Sequence, residues 1–420
     1  MSAAPLEITA RDPHSRARAG LLRTAHGEIR TPAFVPLATK AVVKGLEADE
    51  VERLGYDMVL GNTFHLLLEP GHELIARFGG LHGFMGWRRP IITDSGGFQV
   101  FSMGHGTVAD EVKGRAPYGG ERNGKVLAIE EEGVTFRNPR DGAPVFMGPE
   151  TSMEIQAALG SDIALVFDEC TPFHVDRDYT ARSAARTHRW LDRCLAWHGE
   201  HGPRGQLVYG IVQGGVHRDL RVESAEAVAA REPDGIAVGG SLGAEKDQMY
   251  AVVEWTTAVL PEHRPRHLLG IGEVDDLVRG VELGIDTFDC VTPTRLGRHG
   301  VVLTPEPPRF RLDLTAARFK ESREPIEDGC PCPACSAGLP RGYLRYLAKN
   351  RELTGVRLLT LHNLVYVGRL MRDLREAIEA GRLSEVAERL RAGAAPSTDP
   401  VAVSPAAGSS APSPPAPPSG

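Results

Sequence analysis

Six polar residues and one glycine end short apolar runs in this 420-residue chain: Asn62, Asp94, Asp168, Gln213, Gly240, Glu273 and Asp289. Asp289 sits in GIDTFDCVTPTRLGRHG (284–300), where an apolar, β-prone run gives way to a loop carrying Arg295 and Arg298. Two carboxylates facing one sugar-like electrophile make a displacement centre. One attacks the anomeric carbon and holds it as an ester, and the other moves protons. Asp289 reads as the nucleophile, with Arg295 and Arg298 as anion clamps. Asp168, helped by Gln213, can read a ligand's N–H groups, and Gly240 lets a backbone N–H approach a carbonyl closely. That donor and acceptor set suits a purine-like Watson–Crick edge. The plainer alternative is that each residue only forms a turn, as Asp and Asn often do. Three carboxylates and a glutamine at matching phase argue against it.

A second cluster is CPCPAC (330–335), followed after 26 residues by His362 in LHNL. Three thiolates, Cys330, Cys332 and Cys335, with one imidazole complete a closed tetrahedral Zn2+ site, which has a structural role because no position is left open. The alternative is reduced cysteines in a proline-rich loop. Around them, RGYLRYLAKNRELTGVR (341–357) carries five Lys or Arg against one Glu, with Tyr343 and Tyr346 interleaved. This is either a solvated helix face or a patch for a nucleic-acid backbone.

The elements that position these residues follow a rhythm. Apolar runs at 31–39, 57–64, 89–98, 162–170, 207–215, 235–243, 267–273 and 286–293 alternate with helical periods such as SAARTHRWLDRCLAWH. Strands buried on both faces and separated by helices imply a parallel sheet. Eight of them over roughly 260 residues suit a (β/α)8 TIM barrel, whose strand ends share one face where sites are built. Residues 1–30 read as a hairpin or lid, 31–305 with 363–392 as the barrel and its C-terminal helices, and 306–362 as a zinc-binding subdomain. Residues 134–147 read as a hairpin around Asp141-Gly142, and 103–133 as a long polar excursion near Asp94. Gly381 separates two helices within 370–392, and 393–420 is an Ala/Pro/Ser tail with the composition of disorder. The N-terminus has no signal-peptide pattern, and no run is apolar enough to span a membrane. Six sparse cysteines suit the cytoplasm. A net charge of −7 argues against indiscriminate nucleic-acid binding but leaves room for a local basic face.

DSGGFQ (94–99), FDECTP (167–172), GIVQGG (210–215), AVGG (237–240), FDCVTPTR (288–295) and CPCPAC…LHNL occur in order. Together they resemble the bacterial tRNA-guanine transglycosylase (queuine tRNA-ribosyltransferase) family over roughly residues 15–392. The resemblance implies an irregular (β/α)8 barrel with a zinc-binding subdomain inserted near its end, acting as a homodimer. It implies exchange of guanine at the wobble position of GUN anticodons, in the tRNAs for Asp, Asn, His and Tyr, for the 7-deazaguanine preQ1. By the same resemblance Asp289 is the nucleophile on ribose C1′ and Asp94 the general acid/base. Asp168, Gln213, Gly240 and Cys170 read the base, Asn62, Phe98 and Gln99 lie near base and ribose, and Arg295 and Arg298 contact the anticodon loop. Cys330, Cys332, Cys335 and His362 hold zinc.

Three departures stand out. Phe98 replaces a more usual Tyr, keeping the stacking surface and losing a hydroxyl. GGSLGAE (239–245) puts Gly243 where a larger residue often limits the pocket, which leaves queuine as an alternative acceptor, although Cys170 favours the bacterial base. The 103–133 segment is longer than usual. A lower alternative is a nucleosidase acting on small nucleosides.

Overall fold

The computed structural model describes residues 5–102, 126–240, 242–307 and 309–398. An antiparallel sheet comes first, β1 (Leu6–Arg11), β2 (Arg18–Thr24) and β3 (Gly27–Thr31). The parallel strands β4 (Ala33–Pro36), β5 (Val59–Gly61) and β6 (Ile91–Thr93) follow. Next are the antiparallel β7 (Val126–Ile129), β8 (Val134–Arg137) and β9 (Pro144–Met147). The parallel set continues with β10 (Ile163–Leu165), β11 (Leu207–Val212), β12 (Gly235–Val238), β13 (Arg266–Leu268) and β14 (Thr287–Cys290). A final antiparallel pair is β15 (Val301–Leu303) and β16 (Arg311–Asp313).

The eight parallel strands form one sheet in the order β4-β14-β13-β12-β11-β10-β6-β5. A parallel bridge between Leu37 and Leu60 joins the two outer strands, with Ala38 N–H donating to Leu60 C=O at 2.7 Å, so the sheet closes on itself. Seven of the eight strands lie within the apolar runs that predicted them, and β13 starts one residue ahead of its run, at Arg266. The reason is visible in burial: β5, β6, β10 and β12 are buried at every position, inward and outward, because helices cover the outer face. Thr287 pairs with Ala33 and Asp289 with Val35, which sets the last strand against the first.

The antiparallel β1–β3 sheet, anticipated as a hairpin or lid, lies at the N-terminal ends of the barrel strands, opposite the expected site. Ion pairs fasten it there. Arg18 donates through Nε and Nη2 to Asp286, just before β14, at 2.8 and 2.6 Å. The backbone N–H and ring Nδ1 of His26, in the β2–β3 turn, reach Asp162, just before β10, at 3.0 and 2.8 Å. His82 stacks on His26 at 3.7 Å and approaches the other Asp162 oxygen at 3.3 Å. That oxygen also accepts from Ile91 N–H at 2.8 Å. These three side chains are close enough to hold a metal, yet both carboxylate oxygens already have two donors. Saturation of that kind marks a structural staple.

The hairpin expected at 134–147 is the β8–β9 pair, with β7 added on its free edge. The excursion at 103–133 falls largely outside the described residues, as does the tail beyond residue 398.

After β14 the chain forms a short helix, Thr292–Arg298, where a loop was expected; Pro293 occupies its first turn, a position where a missing N–H costs nothing. Val302, Leu312, Leu314, Phe319, Ile326, Ala334, Leu344 and Leu359 then pack into a small core separate from the barrel's. One helix, Leu353–Glu379, leaves that core and runs back along the barrel, so a boundary at 362/363 cuts a continuous helix. Where it crosses Thr292–Arg298, a Cβ on Gly297 would sit 2.7 Å from the Thr360 nitrogen.

Candidate active site and metal centre

The barrel delivers the expected side chains to one mouth. Asp94 follows β6. Its Oδ1 accepts from Thr63 N–H at 2.9 Å and its Oδ2 from Gln99 at 3.2 Å and from the Asn62 amide. Asn62, after β5, serves twice, since its Oδ1 also caps the next helix by accepting from His65 N–H at 2.9 Å. No cation contacts Asp94 among the described residues. Burial, reinforced by the negative charge of Asp289, pushes its carboxyl up to about 7.

Asp289 lies in β14, 6% exposed. Its Oδ1 accepts from His267 Nε2 at 3.1 Å and from Gly270 N–H at 3.2 Å. Among the described residues its Oδ2 accepts no hydrogen bond. The two carboxylates therefore differ in kind. Asp94 exchanges a proton near neutrality, and Asp289 is gripped by one oxygen with the other left open.

Asp168 follows β10, 4% exposed, and accepts from Ser95 Oγ at 3.0 Å and Gln213 Nε2 at 2.6 Å. Burial pushes it up to about 6. A carboxylate only accepts, so the Gln213 amide must present its nitrogen to Asp168. That leaves Gln213 Oε1 buried and, among the described residues, without a hydrogen-bond partner. It abuts Gly240, where any Cβ would collide with Oε1 and where φ is +76°. An unsatisfied buried acceptor beside an acidic group is a prepared place for a ligand's N–H donors. Cys170, two residues after Asp168, is half-buried. Phe98 and Gln99 occupy the first turn of the helix Gly97–Ser102, both partly exposed. Gly243, at φ +110°, packs against Gln248.

Arg295 and Arg298 lie on the helix after β14. Arg298 donates to Thr294 Oγ1 at 3.1 Å; neither arginine has a carboxylate partner among the described residues. Burial and the like charge of Arg295 lower the Arg298 pKa. Two adjacent cations without counter-ions suit a polyanion.

The thiols of Cys330, Cys332 and Cys335 lie 3.7, 3.4 and 3.7 Å from His362 Nδ1. A tetrahedron with Zn–S near 2.3 Å and Zn–N near 2.0–2.1 Å has S···N edges of about 3.5 Å. The four groups thus fit a metal ion, and zinc is consistent with them. His362 Nε2 lies 2.9 Å from Leu303 C=O, which assigns the proton to Nε2 and turns Nδ1 toward the thiols.

A family model described as queuine tRNA-ribosyltransferase matches residues 12–395. The chain belongs to this family. Curated relatives carrying that name are similar along nearly their whole length. One from Roseiflexus sp. (strain RS-1) is 49% identical over 390 residues, covering 90% of this chain and 97% of the relative. One from Pelotomaculum thermopropionicum is 45% identical over 377 residues, covering 90% and 95%. One from Dictyoglomus turgidum is 43% identical over 380 residues, covering 90% and 92%. The protein is thus an enzyme, a tRNA ribosyltransferase, with tRNA as its partner. Among the described residues no helix is long and apolar enough to cross a membrane.

Four residues of this ribosyltransferase escaped the reading of its sequence. His267, 0% exposed, holds Asp289. Arg221, also fully buried, ties together the ends of β11 and β12 by donating to Val212, Gly215 and Gly239 carbonyls at 3.1, 2.7 and 2.8 Å. Glu169 locks the loop that carries Asp168 and Cys170 onto the next helix, accepting from Tyr179 at 2.7 Å and Arg186 at 2.6 Å. Asn363, next to His362, donates to Pro293 and Val301 carbonyls and accepts from Leu303 N–H, so it couples the metal cluster to the arginine-bearing helix. Asn363 lies in the LHNL motif, Glu169 in FDECTP and His267 at the head of the 267–273 run, but none of these patterns says what the side chain holds.

Proposed function

We propose that the enzyme exchanges guanine at the wobble position of GUN-anticodon tRNAs, those for Asp, Asn, His and Tyr, for preQ1 by double displacement. The observation that carries this is the unlike pair of carboxylates, Asp289 with one oxygen that accepts nothing among the described residues, and Asp94 with a pKa near neutrality. Asp289 Oδ2 forms a bond to ribose C1′ as the C1′–N9 bond to guanine breaks. Asp94, protonated, gives its proton to the departing base. The incoming 7-deazaguanine then returns a proton to the Asp94 carboxylate as its nitrogen displaces Asp289 from C1′. General acid/base work is most effective when the pKa lies near the working pH.

Asp168, Gln213 and the Gly240 backbone read the base, with Cys170 beside them. Asn62 and Gln99 orient Asp94, and Phe98 offers a stacking face. The target base lies in a loop, so it can be splayed out without opening a duplex. Arg295 and Arg298 take anticodon-loop phosphates. Cys330, Cys332, Cys335 and His362 would hold one Zn2+ per subunit, which would supply folding energy to the small C-terminal core. The enzyme acts as a cytoplasmic homodimer.

The test is a denaturing gel of enzyme with unmodified tRNA-Asp transcript. Wild type is expected to give a heat- and detergent-resistant protein–RNA band that preQ1 discharges, and Asp289→Ala none. Exchange with free guanosine but not with tRNA would overturn the assignment.

A further inference from the structure

We infer that His267 is a positioning residue that selects which oxygen of Asp289 attacks the ribose, and that Thr287 sets it. The inference rests on Asp289 being the nucleophile.

His267 on β13 pairs in register with Thr287 on β14. Thr287 and Asp289 are two residues apart on one strand, so they project from the same face of the sheet. The imidazole lies between them. Its Nδ1 is 2.8 Å from Thr287 Oγ1 and its Nε2 is 3.1 Å from Asp289 Oδ1, and the ring is fully buried.

A carboxylate cannot donate, so Nε2 must carry a proton in this contact. The Thr287 hydroxyl can then donate to Nδ1, which favours the tautomer with its proton on Nε2. The same Oδ1 takes the Gly270 N–H at 3.2 Å, and Gly270 is itself fixed, since Cys290 Sγ reaches its carbonyl at 3.3 Å. Two donors on Oδ1 pin the carboxylate plane and withdraw charge from that oxygen. Oδ2, with no protein donor among the described residues, is left aimed and nucleophilic. When the ester forms at Oδ2, Oδ1 becomes its carbonyl oxygen, still held by both donors. When the ester is displaced, those donors stabilise the returning carboxylate.

The experiment follows covalent adduct formation with unmodified tRNA-Asp by rapid quench, beside the tRNA Kd and the melting temperature. His267→Phe removes the donor and fills the space. Its adduct rate constant should fall about 10–100-fold with tRNA Kd within about two-fold, a split that a merely structural role would not give; losing one preorganised donor elsewhere costs about 10²–10³. His267→Gln, which can return an N–H to Oδ1, should recover most of the rate. Thr287→Val leaves the ring but frees its tautomer and should slow the step about 3–10-fold. If His267→Phe fails to fold, Thr287→Val decides. An adduct rate equal to wild type in Thr287→Val, with His267→Phe equal or unfolded, would overturn the inference, as would losses that follow Kd or melting temperature. An adduct that persists in Asp289→Ala would instead overturn the nucleophile assignment, and this inference with it.

Discussion

The two ends of the barrel hold the same side chain in opposite company. At the N-terminal end Asp286 faces Arg18, Asp57 faces Arg30 and Arg89, and Asp162 faces His26 and His82. Burial opposes ionisation of Asp162, but hydrogen bonds from both histidines and Ile91 outweigh it and hold the group well below the usual carboxylate range. At the mouth, Asp94 and Asp168 are surrounded by amides and a hydroxyl, with no cation in contact among the described residues, and burial raises them to about 7 and 6. A paired carboxylate fastens elements together; an unpaired one costs stability and keeps a proton to trade.

The largest effect that would sharpen this contrast comes from Asp94→Asn. Exchange should fall by about 10²–10⁴, the usual share of a general acid/base. Its effect on stability should have the reverse sign. Folded Asp94 keeps its proton up to about pH 7, whereas an unfolded aspartate releases it near 3.9. The folded state binds more protons in between, so stability falls as pH rises through that window. Asp94→Asn escapes the loss, and its melting temperature relative to wild type should climb from pH 4 to pH 8.

Arg18→Ala strikes the other end. It leaves Asp286 buried and uncompensated, at a cost of about 3–5 kcal/mol. Melting should drop by roughly 10 °C, while adduct formation measured well below the transition stays near wild type. A loss of activity without a loss of stability would break the division of labour.

Arg295→Ala should weaken tRNA binding a few-fold and flatten the plot of log K against log salt by about one unit, with stability unchanged. The smallest effect belongs to His26→Ala, below about 1 kcal/mol because the ring is half exposed. Asp162 raises the His26 pKa, so this contribution is complete below the unfolded value near 6.5 and fades as pH rises through the folded one. The Asp162 contribution is complete above about 3.9 and fades as pH falls. The variant's deficit should therefore be greatest between about pH 4 and 6.5 in calorimetric scans.

Most of the eight parallel strands were legible because they are short apolar runs; β13 (RHL) and β14 (TFDC) carry polar residues and were legible from the apolar residues beside them and from the rhythm of the rest. The mouth was legible because polar groups end those runs in phase. His267 was not, since it opens the run HLLGIGE and looks like its polar edge; its ring faces the barrel interior only because β13 pairs with β14 in that register. Arg221 lies in a helix whose pattern gives no reason to bury a guanidinium, and it bonds carbonyls from other segments. The placement of the β1–β3 sheet also depends on long-range pairs, Arg18 with Asp286 and His26 with Asp162, which local patterns do not encode. Local signals carried the elements, and tertiary register carried the residues that hold the site in shape.

The long helix Leu353–Glu379 links metal capture to the timing of synthesis. Its His362 is the last of the four ligands to leave the ribosome, after every barrel strand has been made. The cluster cannot be clasped on a nascent chain whose barrel is still incomplete. Metal supply therefore acts on polypeptides whose barrel strands have all been made. A chain made without metal emerges with those strands present and the four ligands unclasped, and it is this late species that proteases and chaperones would meet.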